Sequence, residues 1–461
     1  MHPAITYIQE KRDSFVEELK AFLRIPSVST KSEHTGDVQK AAEWLTAEMR
    51  AIGLEHVQIL PTAGHPVVYA DWLHAPGKPT ALIYGHYDVQ PPEPLDLWIT
   101  GPFEPTVRNG ELYARGAVDD KGQVFMHLKA LEAHLKTQGA LPVNVKLLIE
   151  GEEEIGSPNL DPFLLKHLDL IGADVVVISD TAMMAKGVPG ITHGLRGLIY
   201  FQIDVEGTKS DLHSGGFGGA VINPAFALAQ ILAQLKDRNG RITIPGFYDE
   251  VRKLSAEERR AMGRLPFSEK KFQKDLGAPA LFGEKGFTTL ERLWARPTLE
   301  VNGLVSGFIG EGAKTVLPAR AMAKVSMRLV PDQDPAKIAR LFTQHVKRLC
   351  PKTVRLKVTE ISGRGMPWLA PTDHPATQAM ARAIQKGFGK QPVFTRTGGT
   401  IPVVATFTRL LKVPSLLMGI GLPNENAHAP NEKLDLDNLH HGMLSAAHLW
   451  NELADTKLIR S

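Results

Sequence analysis

Histidines and acids recur where short apolar runs end. His86 follows Leu82-Ile83-Tyr84, and Asp119 follows Gly116-Ala117-Val118. Glu153 and Glu154 follow Leu147-Leu148-Ile149, Asp180 follows Val176-Val177-Ile178, and His428 lies in a polar loop between Gly421 and Pro430. Converging carboxylates repel one another unless a cation sits among them. Two histidines with three carboxylates suit a divalent metal: zinc accepts both ligand types, and manganese or cobalt is also accommodated. The run Glu150 to Ser157 holds more acids than one metal can use. A carboxylate beside a ligand and aimed at water suits a general base. Taken singly, each position reads as a solvated turn acid. That reading leaves unexplained why the acidic run follows an apolar strand and stops at Gly156-Ser157.

These residues need elements to hold them. Residues 81–84 read as a buried strand that Gly85 ends, with His86 and Asp88 following at once. Residues 143–149, 174–179 and 414–418 read as further buried strands, and 57–60 and 67–72 as short ones. Helix spacing covers 4–23, 37–52 with Gly53 as its cap, 122–137, 375–388 and 436–454, and 403–410 is a further short segment. Alternating strands and helices imply a mixed, mostly parallel α/β sheet covered by helices. In such sheets, ligands sit outside the carboxyl ends of the strands. From about 192 the pattern changes. Residues 197–206, 321–330 and 354–361 alternate as half-exposed strands, 223–235 and 335–349 are helical, and 247–297 is charged and loosely helical. The expected organisation is a catalytic domain of 1–191 and 369–461, interrupted by a smaller α/β domain at 192–368.

The 461 residues exceed what one core requires, with 43% hydrophobic and 22% charged side chains. A formal charge of +3 offers no reason to propose a nucleic-acid or membrane partner. No transmembrane stretch and no signal peptide are read from the sequence. The single cysteine, Cys350, excludes an intramolecular disulfide and a cysteine-rich metal site, and suits a reducing, cytoplasmic setting.

With these motifs in order, the sequence resembles the M20 family of metallopeptidases, nearest the carnosinase-like dipeptidases. The matching segments are Gly85-His86-Tyr87-Asp88-Val89, Arg115 to Gly122, and Glu153-Glu154-Ile155-Gly156-Ser157, with Asp180 and His428 completing the set. The resemblance implies a zinc-peptidase fold with an inserted lid and dimerisation domain, and a homodimer. It implies two divalent ions per subunit, zinc first. His86 and Asp180 would hold one, Glu154 and His428 the other, and Asp119 would bridge them. Asp88 would orient His86, Glu153 would activate a metal-bridging water, and the Asp119–Asp120 peptide would be cis. The resemblance further implies that His213 stabilises the oxyanion from the partner subunit and that Arg328 clamps the substrate carboxylate. Gly399 and Thr400 would contact the same carboxylate, and Asn302 and Thr315 would be further substrate contacts. The activity implied is hydrolysis of dipeptides or similar small peptides with a free C-terminal carboxylate. An N-acyl-amino-acid deacylase or desuccinylase is the alternative. One departure stands out: Arg364 occupies a loop that carries a substrate-facing histidine in carnosinases.

Overall fold

The computed structural model describes residues 2–361 and 363–458. The chain forms two compact units, one of residues 1–193, 370–395 and 406–461, the other of 194–369 and 396–405.

The first unit is built on a mixed sheet. Its strands run in the order Glu55–Leu60, Val67–Trp72, Asn144–Glu150, Thr80–His86, Val175–Ile178, Ser415–Leu417 and Gly190–Leu195. The central pairs are parallel: Thr80–His86 with both Asn144–Glu150 and Val175–Ile178, and Val175–Ile178 with Ser415–Leu417. Parallel pairing brings four carboxyl ends to one edge of the sheet, the edge where such folds bind ligands. Helices cover these strands, so residues on both faces of Val145 to Ile149 are buried.

Gly85 does not end its strand. Pairing continues through Gly85↔Ile149 and His86↔Glu150. The glycine provides clearance instead: a Cβ there would lie 2.4 Å from Val124 Cγ2 and 2.8 Å from Asp120 Oδ2. Helix Lys121–Gln138 is buried on every side from Lys121 to His134, rather than along one stripe. Its Lys129 is buried among the carboxylates of Glu18, Glu48 and Glu132. The helical stretch at 4–23 is two helices, Pro3–Glu10 and Arg12–Leu23, because Lys11 leaves the helical conformation at ψ 4°.

The second unit holds a four-stranded antiparallel sheet in the order Thr298–Ser306, Arg320–Leu329, Gly197–Glu206, Arg355–Glu360. Alternate residues of the two central strands point into a core with Leu228, Ile231, Phe342 and Val346 of helices Pro224–Ala233 and Pro335–Leu349. The charged stretch at 247–297 contains three short helices, and two of them open on capping boxes, Ser255 with Glu258 and Thr288 with Glu291. Residues 396–405, expected with 369–461 in the first domain, belong to this second unit. The reason is polar. Arg196 N donates to Gly399 O (3.1 Å), its Nε donates to Gly398 O (3.2 Å), and Arg328 Nη1 donates to Thr400 Oγ1 (2.8 Å).

Candidate metal centre

At the carboxyl edge of the first unit's sheet, two sets of ligand atoms overlap. His86, Asp119 and Asp180 place one donor atom each within 4.8 Å of one another, and so do Asp119, Glu154 and His428. Asp119 belongs to both. His86 is the last residue of its strand and is fully buried. Its Nδ1 lies 3.1 Å from the Asp88 carbonyl, and its Nε2 points toward Asp119 Oδ1, 3.2 Å away. His428 Nε2 lies 2.9 Å from Asp119 Oδ2 and 3.2 Å from Glu154 Oε2. The Asp119–Asp120 peptide is cis.

The Asp88 carboxylate has partners in addition to the histidine expected for it. It stands 3.4 Å from His86 Nδ1, farther than its own backbone carbonyl, and also accepts from the N–H groups of Glu153 (3.2 Å) and Glu154 (3.1 Å). It thereby caps the turn that presents both acids. The rest of the acidic run has separate work. Glu150 accepts from the Tyr84 and Ser157 hydroxyls, and Glu152 accepts from His65 N and Asn159 Nδ2.

The electrostatics fit a cation. Burial works to raise the Asp119 carboxyl, but hydrogen bonds from His428 and His86 outweigh it and hold it well below the usual range. Asp180 is pushed far up, by burial first and then by Asp119 and Asp120. His428 is raised to about 10, chiefly by Asp119 and then Glu154. Burial, with Glu154 and Asp119 adding to it, brings Glu153 up to about 7. Carboxylates this crowded are ordinarily balanced by positive charge. Asp119, Asp180, Glu154 and Glu153 would carry four negative charges when ionised, which two divalent ions neutralise. The nitrogen and oxygen donors suit zinc and its neighbours.

Comparison with known proteins decides the family. Residues 82–452 match Peptidase family M20/M25/M40. The chain belongs to this family. It is 36% identical to the Cys-Gly metallodipeptidase of Schizosaccharomyces pombe over 97% of each chain. It is 32% identical to the Beta-Ala-His dipeptidase of Rattus norvegicus, over 97% of this chain and 94% of the relative. Among solved structures, an M20 family metallo-carboxypeptidase of Sulfolobus solfataricus superposes with a TM-score of 0.85 at 33% identity, covering 95% of this chain and 99% of the other. The protein is a peptidase, with a centre for divalent metal.

The second unit of this M20 peptidase carries the other residues singled out from sequence. His213 ends the two-residue strand Leu212–His213, paired with Val316–Leu317. Its Nδ1 accepts from Gly215 N and Gly216 N, both at 3.1 Å. The neutral ring therefore carries its proton on Nε2, as an exposed donor. Thr315, also exposed, accepts from Ser214 N through its carbonyl at 3.0 Å. Asn302 sits at the bulge of the edge strand Thr298–Ser306, where the register shifts between Val301 and Gly303. The Thr400 hydroxyl donates to Arg196 O (2.6 Å) and accepts from Arg328, so it orients the arginine. Gly399 N donates to Thr397 Oγ1 (3.2 Å). Arg364 pairs with Glu360 through both Nε (2.7 Å) and Nη2 (3.0 Å), as an exposed i,i+4 ion pair.

Sequence reasoning passed over two acids of the His428 loop. Glu425 is buried and accepts from Leu422 N (2.6 Å) and Asp435 N (2.7 Å). Glu432, also buried, accepts from the turn that carries Asp119. A lone acid in Asn431-Glu432-Lys433 carries no local signal. Its partners lie more than 300 residues away in the chain.

Proposed function

We propose that this M20 peptidase hydrolyses dipeptides with a free C-terminal carboxylate, using two divalent metal ions, zinc first. The observation that carries the reading is the pair of overlapping donor sets that share Asp119. His86 and Asp180 would hold one ion, Glu154 and His428 the other, and Asp119 both. When bound, such ions lower the pKa of the attacking water and polarise the scissile carbonyl. Glu153 takes the proton from that water and delivers it to the departing amine. Its carboxyl, raised to about 7, is matched to exchanging a proton near neutral pH. His213, a donor through Nε2, faces the developing oxyanion from the partner subunit. Arg328, oriented by Thr400, binds the C-terminal carboxylate beside Gly399, with Asn302 and Thr315 as further contacts.

A homodimer through the second unit is part of the reading. Its support is the edge strand Thr298–Ser306 and the loop beyond it, which expose Val301, Leu304, Val305, Phe308 and Ile309. The single cysteine is compatible with a cytoplasmic setting. No helix among the described residues is long and apolar enough to cross a membrane.

The substrate class follows the two relatives named for Cys-Gly and Beta-Ala-His dipeptide cleavage. A rate panel under defined Zn²⁺ and Mn²⁺ tests it, with Cys-Gly, β-Ala-His, tripeptides and N-acyl amino acids. Dipeptides should be hydrolysed fastest, with activity lost to chelator and restored by metal. Faster cleavage of N-acyl amino acids would shift the reading to a deacylase. Faster cleavage of longer peptides would shift it to a carboxypeptidase, the activity named for the Sulfolobus protein.

A further inference from the structure

We propose that Glu432 is a positioning residue that locks the turn bearing Asp119 to the loop bearing His428, so that the metal donors assemble as one unit. The inference rests on the metal assignment above and extends it to a residue outside the donor set.

Glu432 is fully buried and its two oxygens are saturated by one segment. Oε2 accepts from Arg115 Nη1 (2.6 Å) and Gly116 N (3.0 Å), and Oε1 from Val118 N (3.0 Å) and Asp119 N (3.1 Å). Successive backbone N–H groups in a turn form a concave anion site. Here the anion is the protein's own carboxylate, and Gly116 makes the turn possible at φ +82°. Arg115, itself buried, balances the charge.

Glu432 lies four residues beyond His428 on the same loop. The segment after it pairs Lys433–Asp435 with Glu111–Tyr113, on the near side of the same turn. Asp119 takes His86 on one oxygen and His428 on the other. A tilt of the turn at Asp119 N therefore disturbs both contacts together. An ion pair that served only the fold would stabilise the empty and the metal-loaded protein alike. A positioning residue changes metal affinity itself, and loss of such a partner typically weakens metal binding by about 10- to 100-fold.

The test uses the full chain, stripped by chelation and titrated with Zn²⁺ alone against a chelating dye. The melting temperature of the empty and Zn²⁺-saturated protein is measured alongside. In Glu432→Gln, one oxygen can still serve Val118 N and Asp119 N, but the amide nitrogen then faces Arg115 and Gly116 N. Zn²⁺ affinity should fall by about 10- to 100-fold, and the rise in melting temperature on adding Zn²⁺ should shrink. Arg115→Lys keeps the charge and leaves the backbone bonds, so a smaller loss, about three- to tenfold, is expected. If Glu432→Gln does not accumulate as folded protein, Arg115→Lys decides. Zn²⁺ affinity within twofold of wild type in the folded variants would overturn the proposal, even with a lower melting temperature. A wild-type chain that binds no Zn²⁺ would instead overturn the metal assignment on which the proposal rests.

Discussion

The two units present their functional side chains in opposite ways. In the first, His86 ends a buried parallel strand, Glu154 and Asp180 follow two others, Asp119 and His428 lie in turns, and neighbouring residues hold the segments that carry them. Asp120 holds His86 N, and Asp88 holds the turn of Glu153 and Glu154. In the second, His213, Thr315 and the outer side of the edge strand are exposed, and Arg328 is held through a single hydroxyl. Burial tunes the acids of the first unit, as the raised Glu153 shows. Exposure leaves His213 and Thr315 of the second open to solvent, as the proposed substrate contacts require. The difference teaches where substitutions act: on metal and proton transfer in the first unit, on turnover or KM with little stability change in the second.

The largest effect should come from Glu153→Gln. Loss of a general base costs about 10²- to 10⁴-fold, and the proposed metal donors remain. Turnover should fall in that range while metal content by elemental analysis stays at wild type. Retained turnover would break the contrast at its centre. Because the deprotonated base is required, the wild-type rate should fall as pH drops through the Glu153 pKa. A bound cation lowers that value, so the acid limb should lie at or below about 7.

His213→Ala comes next. The ring is exposed, and among the described residues its only hydrogen bonds run within its own turn. Turnover should fall about 10²-fold or more, as for loss of an oxyanion donor. Melting temperature and dimer mass, measured by calorimetry and light scattering, should not change. Loss of the dimer would show that the residue serves the interface instead.

The contrast also explains what the sequence revealed. The strands before His86 and Asp180 were legible because the apolar runs Ala81 to Tyr84 and Val175 to Ile178 are each followed within two residues by a polar side chain. The mostly parallel sheet was legible from the same runs. The edge strand Thr298–Ser306 was not, because Val301, Leu304 and Val305 expose apolar groups and erase the alternation. Gly85 read as a strand end, because its clearance against Val124 exists only once the helix has packed. Asp88 read as a partner for the neighbouring histidine, and its bonds to Glu153 and Glu154 cross more than 60 residues of chain. Residues 396–405 changed unit because their partners lie far upstream, Arg196 between two strands and Arg328 within one.

Arg328→Met should raise KM by about 10- to 100-fold for free-carboxylate dipeptides, with kcat nearly unchanged. C-terminally amidated dipeptides should be almost unaffected. An equal loss on both substrates would remove Arg328 from carboxylate binding.

Glu150 sharpens the comparison through stability. Burial raises its carboxyl to about 8, well above the ordinary 4.5. The folded state therefore keeps a proton that the unfolded chain releases between those values. The stabilisation is full below about 4.5 and is lost as pH rises through 8. Glutamine keeps an acceptor for Tyr84 and Ser157 and is neutral throughout. Glu150→Gln should match wild type near pH 5 and exceed it at pH 9 by roughly 1–3 kcal/mol in denaturant unfolding. A constant difference across that range would show that the proton is not held.

The smallest effect belongs to Thr400. Its hydroxyl proton is committed to Arg196 O, so its contribution to substrate binding runs through the orientation of Arg328. The bond from Arg328 is charge-assisted, but water can replace the lost acceptor in a partly exposed site, so its loss is worth about 1 kcal/mol. Thr400→Val should therefore raise KM by about fivefold, leave kcat and melting temperature unchanged, and add nothing in the Arg328→Met background. Thr400→Ser should restore wild-type KM. Were Thr400 itself a donor to the substrate, the double variant would be worse than Arg328→Met alone. That cycle separates a residue that touches substrate from one that aims its neighbour.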